Sequence, residues 1–158
     1  MIKYVCLFLM LAYLIMQSIS DARTGQIYSF WNNLVTYGTT GLLLLKIIFG
    51  NEYVTIFFIV DVFAMLLGCI VASKTIKGKK IMQPADAKVI WSVFCLTSVF
   101  VGFNYGLYIA SFMVLFSTFG FMVYYRWIKK YAYGDRKPYF PFLTGGYFFS
   151  ITLFLVIA

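Results

Sequence analysis

Six long apolar stretches, separated by connections that hold nearly all the positive charge, leave this chain few ways to fold. They cover about residues 3–20, 34–49, 53–72, 86–103, 107–127 and 140–158. Only 11% of residues are charged and the mean hydropathy is +0.89, where a soluble domain carries about 25% charged residues. Apolar runs of this length read as bilayer-crossing helices. The expectation is an all-α, polytopic membrane protein: one domain over residues 1–158, six transmembrane helices, both termini outside. The first stretch also has the small-x-small sequence Ser18-Ile19-Ser20 of a signal-peptide cleavage site. Its apolar region is longer than a signal peptide needs and further spans follow, which favours a retained helix.

The charge sets the orientation. Eleven of the thirteen Lys and Arg residues lie in or beside the first, third and fifth connections, with Lys3 and Lys46 the exceptions. By the positive-inside rule those connections are cytoplasmic. The net charge of +8 is thereby accounted for by topology and by attraction to anionic lipid, and nucleic acid is not an expected partner. The sequence contains no histidine, which excludes Ser-His and Cys-His catalysis and the H-E-x-x-H zinc peptidases. Cys6, Cys69 and Cys95 are far apart within apolar stretches, so no C-x-x-C pair exists and neither metal nor cofactor is expected.

Carboxylates remain. There are five: Asp21, Glu52, Asp61, Asp86 and Asp135. Asp21 closes the first span and Asp86 opens the fourth, so both belong at the cytoplasmic face. Asp61 falls near the middle of the third span, where an isolated charge is costly. It reads as a polar contact between helices or, in a small transporter, as an ion site. The tyrosines and tryptophan around Tyr124–Tyr133 read as an interfacial aromatic belt.

Three stretches, in order, carry a family resemblance. Asp21-Ala22-Arg23 through Ile27-Tyr28-Ser29 is similar to D-x-R-x-x-x-I-P-N. Gln83-Pro84-Ala85-Asp86-Ala87-Lys88 is similar to G-x-A-D-x-K. Lys137-Pro138-Tyr139-Phe140-Pro141-Phe142, with Gly145 beyond, is similar to P-F-x-P-F-L-x-x-G. Together they resemble the prepilin peptidases, intramembrane aspartic peptidases, in their short peptidase-only form. The chain departs from the pattern at Tyr28 and Ser29, and at Gln83, where Gln-Pro stiffens a segment that has glycine in the family. The resemblance implies catalysis by Asp21 and Asp86 on a pilin-like preprotein, whose short basic leader is removed at the cytoplasmic face of the cell membrane. Arg23, Gln83, Ala85, Lys88, Pro138 and Pro141 are the supporting positions, with membrane lipid as the surroundings. The alternatives are a non-catalytic membrane scaffold of the same fold that binds preproteins or assembly components, and a small transporter using Asp61. The sequence does not speak to oligomeric state.

Helix direction adds one expectation. Asp21 lies at a helix C-terminus and Asp86 at a helix N-terminus, so the dipoles of their own helices place the shared proton on Asp21.

Overall fold

The apolar stretches do form helices. A computed structural model describes residues 2–24, 26–50, 54–76, 79–80, 83–128 and 138–157. Six helices follow in order: α1 (Ile2–Thr24), α2 (Ser29–Phe49), α3 (Ile56–Ser73), α4 (Pro84–Phe100), α5 (Phe103–Met122) and α6 (Phe140–Ile157). α5 continues as a π-helical segment, Val123–Ile128. The one strand pairing among the described residues is a two-residue antiparallel pairing of β1 (Thr75–Ile76) with β2 (Lys79–Lys80), in the basic connection between α3 and α4. Apart from this pairing and short connections, the described residues are helical. Three helical segments, Tyr4–Thr24, Ile56–Ser73 and Phe103–Tyr125, are long and apolar enough to cross a membrane.

Two boundaries differ from the sequence reading. α1 does not stop at Ser20 but runs on to Thr24, so Asp21 and Arg23 are helical. Nothing before Gly25 breaks the helix, and the Thr24 hydroxyl bonds back to the Ser20 carbonyl at 2.9 Å. Asn104-Tyr105-Gly106 is helical too; the chain turns earlier, at Gly102, whose φ of 140° suits glycine. Asn51 and Glu52, between the second and third apolar stretches, and most of the connection before the last stretch, with Asp135, Arg136 and Lys137, lie outside the described residues.

α4 is the axis. It packs against α1, α2, α3 and α5, while α6 joins α5 to α1. Val89, Val93, Phe94 and Cys95 of α4 are fully enclosed, as are Leu14 of α1, Met113 of α5, and Phe140 and Leu143 of α6. Two glycines bring backbones together. A Cβ at Gly106 would strike Ser98 Oγ and crowd the Phe94 carbonyl, and one at Gly146 would strike Ser117 Oγ and the Met113 carbonyl. Small residues at such crossings are how apolar helices associate where no hydrophobic drive exists between them. The first turn of α4, with Asp86 and Lys88, precedes the mainly apolar run that begins at Val89.

Candidate active site

The C-terminal end of α1 and the N-terminal ends of α2, α4 and α6 meet at one end of the bundle. Gln17, fully buried on α1, holds the backbone of Tyr28 from both sides. Its Oε1 accepts the Tyr28 N–H at 3.0 Å and its Nε2 donates to the Tyr28 carbonyl at 3.4 Å. The Ser20 hydroxyl donates to the Gln26 carbonyl at 2.8 Å. These bonds fold the connection back onto α1 and start α2 at Ser29. Asn32, buried on α2, then reaches α4. Its Nδ2 donates to the Ala85 carbonyl at 3.2 Å, and its Oδ1 accepts the Tyr13 hydroxyl at 2.9 Å.

Gln83 is the N-cap of α4 in extended conformation (φ −73°, ψ 146°), and its side chain makes no capping bond. Pro84 follows at the first helical position, where a missing N–H costs nothing. Asp86, third in the helix, takes a hydrogen bond from the Gln83 backbone. That is the returning half of a capping box, and it aims the carboxyl back toward the helix mouth.

There it comes within electrostatic reach of Asp21. The two aspartates are 7% and 3% exposed, and the charge of Asp21 acts directly on Asp86. Burial, then the Asp21 carboxylate, push the Asp86 carboxyl up to about 7 against the opposing Gln83 hydrogen bond. Asp21 has a donor of its own: the Phe140 N–H reaches its Oδ2 at 3.1 Å. That amide is one of the free N–H groups of the first turn of α6, a natural anion partner. The dipole expectation considered only the helix that carries each aspartate. α6 points its positive end at Asp21, and burial outweighs the favourable end of α4 at Asp86. The dipole of each aspartate's own helix is therefore not the only influence on the pair.

Tyr139, next to Phe140, completes the surroundings. Its hydroxyl pairs with Thr118 Oγ1 of α5 at 3.1 Å, and its ring meets Phe121 edge-on at 5.3 Å. Burial pushes its phenol up, the Thr118 hydrogen bond pulls it back, and the Asp86 charge adds to the rise. At the head of α6, Phe140 thus meets Asp21 through its amide, and the Tyr139 phenol feels the charge of Asp86.

The supporting positions divide. Gln83 and Ala85 shape the mouth of α4 through backbone groups. Lys88 stands on another face of the helix and donates to Asn33 Oδ1 at 2.6 Å. Arg23 is exposed on the last turn of α1. Pro138 and Pro141 are half-buried around the start of α6, Pro141 within its first turn. Asp61 is half-buried on α3, about 18 Å along the helix from Ser73 at 1.5 Å per residue. Gln17, Asn32 and the Phe140 amide were not singled out from sequence; each acts on backbone or across more than one element. Among the described residues, no three His, Cys, Asp or Glu side chains gather where they could hold a metal ion.

No family model matches this chain, and no curated protein or solved structure shows significant similarity to it.

Proposed function

We propose that this protein is an intramembrane aspartic endopeptidase of the prepilin peptidase type, which removes the short basic leader of a pilin-like preprotein. The observation that carries the reading is the pairing of Asp21 and Asp86. Two buried carboxyls from the end of one helix and the start of another share one electrostatic environment. Like charges at close range do not both ionise near neutral pH, so one proton is shared between them.

The chemistry follows from that proton. Asp21 takes a proton from water while the water oxygen attacks the scissile carbonyl carbon. Asp86 gives its proton to the carbonyl oxygen. The tetrahedral intermediate then collapses, the C–N bond breaks and the amine leaves with a proton returned by the pair. The Phe140 amide holds Asp21 in place throughout.

In this reading all six helices cross the cell membrane. The mouths of α4 and α6 lie at the cytoplasmic face among the basic connections, and both termini lie outside. The test is co-expression with a preprotein carrying a basic leader, a glycine and an apolar segment, followed by gel shift. Wild type should convert it to the shorter form, and Asp86→Asn should not. Conversion by Asp86→Asn at the wild-type rate would remove the proposal.

A further inference from the structure

On the side of α4 away from Asp86 the structure contains a second feature, unused by the peptidase chemistry. A cavity of about 320 Å³ opens between α3 and α4, with Thr36 of α2 at its edge. Lys88 and Trp91 line it from α4, and Leu66, Ile70 and Ser73 from α3. The spacing explains the lining: residues three and four apart share one face of a helix, and Asp86 lies on another.

The cavity is amphipathic along its length. Leu66 and Ile70 are 41% and 43% exposed, so its α3 wall opens sideways, toward the surroundings of the bundle. The Trp91 indole N–H is already bonded to Thr40 Oγ1 at 2.9 Å, which leaves the ring as apolar surface. The other end holds a cation. The described hydrogen-bond partner of Lys88 Nζ is the neutral Asn33 oxygen, so its charge is held in place without being cancelled. Ser73 forms the rim at that end, exposed Lys74 comes next, and Lys77, Lys79 and Lys80 follow in sequence. A free anion would fit the cationic end but leave the apolar wall unused. An apolar chain alone would leave Lys88 unanswered.

We propose that this cavity binds an anionic glycerophospholipid, with its phosphate at Lys88 and an acyl chain against Leu66, Ile70 and Trp91. The inference rests on the membrane placement proposed above and is independent of the peptidase chemistry. A lysine near the membrane surface contributes enough to anionic-lipid attraction to change affinity about fivefold.

Native mass spectrometry of the purified full chain, titrated with phosphatidylglycerol or phosphatidylcholine, tests it. Wild type should retain one phosphatidylglycerol in preference to phosphatidylcholine. Lys88→Gln should weaken retention about fivefold and Lys88→Arg should restore it. Ile70→Trp, a change at an exposed position that fills the apolar end and leaves the charge, should also lower occupancy. Thermal melting of each variant checks that it is folded. Retention insensitive to both Lys88→Gln and Ile70→Trp would overturn the site. Loss with Lys88→Gln alone, together with displacement by glycerol 3-phosphate, would reduce it to a simple phosphate site and overturn the lipid assignment. The Asp86→Asn variant should bind lipid like wild type. Lipid retention without preprotein processing would sink only the peptidase reading, and processing without site-specific retention only this one.

Discussion

α3 and α4 lie side by side, have similar lengths and each carry one aspartate, yet they are packed in opposite ways. α4 buries eleven of its seventeen residues, Asp86 among them. α3 buries only Phe58 of its eighteen, which stacks on Phe103 at 4.2 Å between centroids. The contrast shows what makes a carboxylate chemically useful. Asp61 sits within the more apolar sequence, but its helix encloses little. Asp86 sits in a helix mouth that α1, α2 and α6 close over, where a second acid and a fixed set of backbone groups decide its protonation. Hydropathy alone singles out Asp61, whereas burial singles out Asp86.

The strongest way to break this comparison is by charge removal. Asp21→Asn and Asp86→Asn should each lower preprotein processing by about 10²–10⁴-fold, the usual worth of a positioned acid or base. Asp61→Asn should stay within about twofold, since it touches neither proton transfer. If Asp61→Asn is equally inactive and still folded, α3 is a functional helix and the contrast collapses.

Titration sharpens it. Burial and the Asp21 charge push the Asp86 carboxyl up to about 7, so in the proposed mechanism the pair should run out of acid as pH rises. Processing measured in vesicles should fall toward tenfold per pH unit on the alkaline side, with the same limb in Asp61→Asn. A flat profile to pH 9 would show that Asp86 is not the donor.

A smaller effect is expected from the scaffold around the mouth of α4. Asn32→Ala strands the Tyr13 hydroxyl and the Ala85 carbonyl, which should cost about 1–3 kcal/mol. Thermal melting should show it, whereas Ser73→Ala on α3 should leave the melting temperature nearly unchanged. Equal shifts for the two would mean that the site end is no better anchored than the outer helix.

The smallest change is at Gln83. Its backbone is extended and its side chain caps nothing, so the glycine of the family pattern is not needed for conformation here. Gln83→Ser should add a cap and stabilise by about 0.5–1 kcal/mol. Gln83→Gly should shift stability by only a few tenths of a kcal/mol and leave processing unchanged. A large gain in turnover with glycine would show that the mouth of α4 is strained after all.

The helical layout was legible in the sequence because hydropathy and charge act locally and repeat six times. The placement of Asp21 and Asp86 at one end followed from counting spans. What the sequence did not reveal are the bonds between elements. No local pattern announces that the Phe140 amide will meet a carboxylate 119 residues earlier, or that Asn32 rather than Ser29 will hold the mouth of α4. The dipole expectation was incomplete for the same reason: the dipole of each aspartate's own helix can be read from sequence, whereas α6 pointing at Asp21 can be read only from the fold. The helix stop after Ser20 failed more simply. Asp, Ala, Arg and Thr are all compatible with helix, and α1 runs through all four.

The pairing of α1 with α6 also has a consequence in time. Thr144 donates to the Leu14 carbonyl at 3.1 Å, Tyr147 to the Leu7 carbonyl at 3.3 Å, and Phe140 to Asp21. The first helix is therefore fastened to the last. A ribosome delivers both aspartates by residue 86, but the amide that holds Asp21 is synthesised only at residue 140. Between those points the growing chain carries both acids without that amide, and the order of the genetic message itself leaves Asp21 unfastened until α6 arrives.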